Sequence, residues 1–126
     1  MDLKSVSSLA CYVKDLDETI KFYGTLGFEF RKREVNHATA YLNWFSIDFM
    51  LTSKEDKEEF IKEAKAEPKG SGIYINIKVA DVDEFYKGMV AKGLKPASEP
   101  RNWPWGNREF VIRDPDGYKL VFFNKK

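Results

Sequence analysis

The chain has 126 residues, 43% of them hydrophobic and 33% charged. That length lies in the single-domain range and suffices to bury roughly two thirds of the unfolded surface in one core. Its 21 basic and 20 acidic residues leave a net charge of +1, which supplies no electrostatic footprint for nucleic acid or an anionic membrane, so any partner has to be argued from local chemistry.

The chain opens on Asp2 and Lys4 rather than on an apolar signal region, and its one cysteine, Cys11, excludes an intrachain disulfide. A reducing, cytoplasmic setting is expected. No apolar run approaches the roughly 18 residues that cross a bilayer, so no membrane role is expected. Alternation of Leu9, Cys11 and Val13 with Ser8, Ala10 and Tyr12 predicts a first strand. Asp15 then stands as an N-cap, with Glu18 three residues on, before a helix in which Ile20, Tyr23 and Leu26 recur at helical spacing and Gly27 supplies the stop. Three strands are predicted next, Phe28 to Glu34, Ala38 to Asn43 and Ile47 to Thr52, with Trp44 and Phe45 at a hairpin tip. Lys54 to Glu67 is rich in Glu and Lys, carries Phe60, Ile61 and Ala64 on one side, and predicts an exposed amphipathic connecting helix. It ends before the linker 68–72.

The pattern then returns. Residues 8–28 align without a gap on residues 74–94 at a constant offset of 66, with identities at Val13/Val79, Asp15/Asp81, Asp17/Asp83, Glu18/Glu84, Lys21/Lys87 and Gly27/Gly93. Ile75, Ile77 and Val79 alternate with Tyr74, Asn76 and Lys78 in a strand, Asp81 caps a helix carrying Phe85 and Met89, and Gly93 ends it. Strands are predicted over Leu94 to Ser98, Arg108 to Arg113 and Tyr118 to Phe123. The last two are joined by Asp114-Pro115-Asp116-Gly117, a tight-turn sequence. The fold class is therefore α+β, two βαβββ modules in a single domain over 1–126. Module 1 is placed at about 5–53, the connecting helix and linker at about 54–72, and module 2 at about 73–124.

A duplicated βαβββ module with V-x-D-[LV]-D-E opening each helix, L-G-F after the first, and W-G followed by D-P-D-G near the end resembles the glyoxalase/bleomycin-resistance/extradiol-dioxygenase (vicinal oxygen chelate) superfamily. The resemblance implies two sheets curled into a cup, helices outside, and chemistry on the concave face. It also implies metal positions, which fall here on Ser8, on Tyr74, on Val121, and on Met50 or, if the register shifts, Asp48. A catalytic divalent ion needs two or more oxygen or nitrogen ligands converging on it. Ser, Tyr, Val and Met do not form such a set, and the one histidine, His37, is predicted between the second and third strands as a turn residue. No metal, no cofactor and no catalytic residue is therefore assigned.

The segment from Arg101 to Arg108, R-N-W-P-W-G-N-R, is the most unusual stretch. Trp103 and Trp105 flank a proline and offer rigid aromatic faces to a planar ligand, or else plug the mouth of the cup. Tyr41 is placed on the cup's face, and Tyr74 and Asn76 are polar residues on an apolar strand, which suits a hydrogen-bonding wall. With Asp48 and Arg108 they complete the candidate ligand-binding set. The function expected is metal-independent binding of a small aromatic or amphipathic molecule, in the manner of bleomycin-resistance proteins, which the resemblance describes as holding a flat, cationic drug in an aromatic cleft. A homodimer is expected with it. The alternatives are an enzyme of the superfamily with an atypical metal site or none, using Tyr74, Asp48 or Arg108 for acid/base work, and a regulatory domain whose cup is filled by its own side chains.

Overall fold

The computed structural model describes residues 1–126, and its contacts divide the chain into two compact units, 1–67 and 68–126. The division falls inside the stretch expected to link the two modules.

In the first unit the alternating segment forms β1 (Ser8–Tyr12), followed by α1 (Leu16–Leu26), β2 (Glu29–Arg33), β3 (His37–Leu42), β4 (Phe45–Met50) and α2 (Glu58–Lys65). The Asp15 carboxylate accepts the Glu18 N–H at 3.1 Å, satisfying one of the donors that a helix start leaves open. Gly27 closes α1 at φ 113, in the left-handed region that costs a residue with a Cβ. The sheet order is β1-β4-β3-β2, with β1 parallel to β4 and the other pairs antiparallel. One face buries Ile47, Phe49, Ala38 and Ala40 together with Leu16 and Tyr23 of α1. The Tyr23 ring lies 4.6 Å from that of Phe49 and 5.4 Å from that of Phe28.

The second unit repeats this plan. It contains β5 (Tyr74–Lys78), α3 (Val82–Ala91), β6 (Arg101–Asn102), β7 (Asn107–Arg113) and β8 (Lys119–Lys125), in the order β5-β8-β7-β6 with β5 parallel to β8. Asp81 caps α3 as Asp15 caps α1, at the same 3.1 Å. Phe110, Ile112, Leu120 and Phe122 fill the face that meets Val82 and Met89 of α3. The rings of Phe110 and Phe122 stack at 5.3 Å, and Phe85 sits 4.7 Å from Phe122. Two four-stranded mixed sheets and three helices make the α+β architecture that the repeat implied.

Two predicted elements differ. Leu94 to Ser98 is not a strand, and the fourth strand of the second sheet is the two-residue β6 instead. Pro96 has no N–H to give to a ladder. The next two donors, Ala97 N at 2.8 Å and Ser98 N at 3.4 Å, both go to the Val111 carbonyl, while Ser98 Oγ accepts the Val111 N–H, so the segment is tied to β7 at one point. The connecting helix is shorter than 54–67. A turn in which Asp56 accepts the Ser53 N–H at 2.8 Å occupies the residues before it, and of Phe60, Ile61 and Ala64 only Ala64 is buried.

Candidate functional site

Side chains alternate across a strand, so the face of the second sheet opposite α3 is built from Tyr74 and Asn76 of β5, Lys119, Val121 and Phe123 of β8, and Asn107, Glu109 and Val111 of β7. These residues, with Ser98, Trp103 and Trp105, line a cavity of about 540 Å³. The hairpin between β6 and β7 sets both tryptophans at its mouth. Trp103 N–H donates to the Asn107 carbonyl at 2.8 Å, Gly106 N–H to the Trp103 carbonyl at 3.1 Å, and Gly106 takes φ 92. The two indoles stack with centroids 4.7 Å apart and planes within 11°. Trp105, still 62% exposed, donates its Nε1–H to Glu109 Oε2 at 3.0 Å, and Asn107 Nδ2 donates to the same oxygen at 3.2 Å. The Arg101 guanidinium lies 3.7 Å from the Trp103 ring centroid, and Lys119 Nζ lies 3.7 Å from that of Tyr74.

Four expected residues, Tyr74, Asn76, Trp103 and Trp105, are thus brought together, and Glu109, Lys119 and Phe123 join them although the sequence did not single them out. The available signal was period-two alternation: once Asn76 faces the cavity, register gives Val121 opposite it and Glu109 opposite Phe123. Arg108, also expected there, is not among the lining residues. It lies on the other face of β7, where Nε and Nη2 grip the two carboxylate oxygens of Asp83 on α3 at 2.9 and 3.0 Å and Nη1 reaches Asn102 at 3.0 Å. That forked pair holds helix to sheet and keeps the Asp83 carboxyl below the usual aspartate range, the hydrogen bond from Arg108 being the main cause.

Tyr41 and Asp48 belong to the first unit. Tyr41 lies under the Arg31 guanidinium, 4.2 Å from the ring centroid. Beyond it the two-residue turn Asn43–Trp44, with Asn43 at φ 55, leaves Trp44 98% exposed. Asp48 collects three partners on the polar face of its sheet: Thr39 Oγ1 donates to Oδ1 at 2.6 Å, Ser8 Oγ to Oδ2 at 2.9 Å, and His37 Nε2 stands 3.2 Å from Oδ1. The Thr39 bond does most to lower the Asp48 pKa, partial burial opposes it, and the Ser8 and His37 bonds add to it. His37, expected in a turn, instead opens β3.

Pairing also decides the metal positions. Asp48 faces Ala10 across β1–β4 as Val121 faces Asn76 across β5–β8, so Asp48, not Met50, is the counterpart of Val121. In the first unit these positions hold a serine hydroxyl and one aspartate, and in the second a tyrosine ring covered by an ammonium and a valine. No group of three or more His, Cys, Asp or Glu side chains comes together. These residues do not fit a resident divalent ion.

The family model for the glyoxalase/bleomycin resistance protein/dioxygenase superfamily matches residues 5–122. The chain belongs to this superfamily. An uncharacterized protein of Mycolicibacterium smegmatis is 30% identical over 119 residues, covering 94% of this chain and 92% of its own. Among solved structures, a superfamily protein from Nocardioides superposes with a TM-score of 0.77 at 20% identity, over 99% of this chain and 85% of that one. A bleomycin resistance determinant encoded on the transposon Tn5 superposes with a TM-score of 0.71, also at 20% identity, over 98% and 99% of the two chains. At such identities these superfamily structures share the fold with this chain.

Proposed function

We propose that the chain is a metal-independent binding protein that takes up a small aromatic or amphipathic molecule in the cavity of its second unit. The observation that carries this reading is the cavity itself. Its volume of about 540 Å³ suits a small ligand, and its walls combine aromatic faces with a few fixed polar groups, the usual composition of such sites. Trp103, Trp105, Tyr74 and Phe123 supply the faces; Asn76, Asn107 and Ser98 supply hydrogen bonding. Membership of the superfamily, and the likeness in fold to a bleomycin resistance determinant, agree with it. The same reading includes a homodimer in the cytoplasm.

A second reading, an enzyme without metal, is favoured by one observation. His37 Nε2 stands 3.2 Å from Asp48 Oδ1, which sets an imidazole beside a carboxylate, the pairing that acid/base work uses. The cavity described above is lined by residues of the second unit and not by that pair, so binding is the stronger reading.

Calorimetric titration with 2-naphthamide, a flat neutral probe, tests it. Stacking on an indole contributes about 0.5 to 1.5 kcal/mol beyond burial, so Trp103→Ala and Trp105→Ala should each weaken binding several-fold while the melting temperature stays put. Equal affinity in all three proteins would assign both rings to structure and remove the reading.

A further inference from the structure

The charge on the cavity face has one dominant sign. Register and alternation place Lys78 on the same face of β5 as Asn76, Lys119 and Lys125 on the same face of β8 as Val121 and Phe123, Arg113 on the same face of β7 as Val111, and Arg101 opposite Glu109. Against these five cations stands a single carboxylate, Glu109, whose Oε2 already accepts the Trp105 and Asn107 protons. Two of the cations are engaged locally: Arg113 donates to the Gly117 carbonyl at 2.9 Å, and Arg101 lies over Trp103. Lys119 is the cation in the cavity wall. Its ammonium rests on the Tyr74 ring at 3.7 Å and forms no ion pair. An ammonium held only by a ring keeps three N–H donors for an incoming acceptor. Five cations against one carboxylate on this face draw anions toward it, and in the wall itself an anion meets the ammonium of Lys119, while Glu109 Oε2 is already hydrogen-bonded by Trp105 and Asn107.

We infer that the cavity selects flat aromatic anions, with the acidic group received by Lys119 and the ring system stacked among Tyr74, Trp103 and Trp105. This rests on the binding reading above and fixes the charge of the ligand, opposite to the cationic drug that the resemblance implied.

Three probes on one ring system separate the terms: naphthalene-2-carboxylate, 2-naphthamide and 2-(aminomethyl)naphthalene, titrated calorimetrically at low and at raised ionic strength. At low salt the carboxylate should bind tighter than the amide and about tenfold or more tighter than the ammonium. Salt should narrow that gap. Lys119→Met should bring the carboxylate down to the affinity of the amide measured on the same variant; Lys119→Arg should keep the preference. An ammonium probe that binds as well as the carboxylate, or a preference that survives Lys119→Met, would overturn the inference and leave aromatic binding standing. If none of the three binds, the binding reading fails and this inference with it.

Discussion

Asp48 shows how one side chain's surroundings can be read as a stability statement. Its carboxylate is held by Thr39, Ser8 and His37, and its pKa lies below the ordinary aspartate value, the Thr39 hydrogen bond being the largest cause. A carboxyl depressed by folding contributes stability that is complete above its unfolded pKa, near 3.9, and that is lost as pH falls through the lower folded value. Thr39→Val removes the shortest of these bonds with little change of shape. It should cost about 1 kcal/mol at neutral pH, since hydrogen bonds to charged groups contribute roughly 1.5 to 3 and this one is part-exposed. In acid, with Asp48 protonated in both proteins, the difference should shrink. Urea unfolding at neutral pH and again well below the aspartate range measures both numbers, and an equal gap at the two pH values would show that Asp48 is not the group concerned. Little of this cluster was legible beforehand. His37 reads as a turn residue from its neighbour Asn36, and only strand pairing carries it to Asp48.

At the level of elements, the helices follow local rules closely. Asp15 and Asp81 make the same capping bond in the two units because each has a helix donor three residues on and no competing partner. Asp81→Ala should therefore lower stability by about 1 kcal/mol, measured by thermal or urea unfolding, whereas Asp81→Asn should cost far less, the amide oxygen being an adequate acceptor. Equal losses from the two substitutions would mean that charge near the helix terminus, not the bond, is what matters. By contrast the N-cap of α2, Lys57, makes no side-chain capping bond, and α2 is the helix whose extent the sequence overstated. The strands follow the same division. Those of the first unit were placed to within a residue or two, while the segment after Gly93 was misplaced because Pro96 interrupts a stretch whose apolar content otherwise reads as a strand. Arg101–Asn102 is too short to show any alternation of its own.

For the whole molecule, the residue types at Ser8, Tyr74 and Val121 and the lack of any group of three His, Cys, Asp or Glu side chains lead us to expect a protein that retains no stoichiometric divalent metal. Superfamily membership leads us to expect two chains per particle. Native mass spectrometry reads both at once. A particle of one chain at micromolar concentration would remove the dimer, and one zinc, nickel or iron retained per chain would remove the metal-free reading even if the dimer stood.

The repeat, its order of elements, both capped helices and the tight turn at Asp114–Gly117 are settled by residues close together in the chain, and for that reason sequence alone determined them. Alternation likewise determined which side chains share a face of a strand. It did not determine which of two faces turns toward the helix, because that depends on how strands pair and which side α3 covers. Arg108 illustrates the point: it is adjacent to Glu109, yet one points to Asp83, 25 residues away on α3, and the other into the cavity. The Ser8–Asp48 bond spans 40 residues, and the choice between Asp48 and Met50 rested on a parallel register between β1 and β4 that no local pattern encodes. Only the tertiary structure gathers Lys119, Glu109 and the two tryptophans around one space, since they come from a loop and two strands whose pairing is fixed by the burial of Phe110, Ile112, Leu120 and Phe122 on the opposite face.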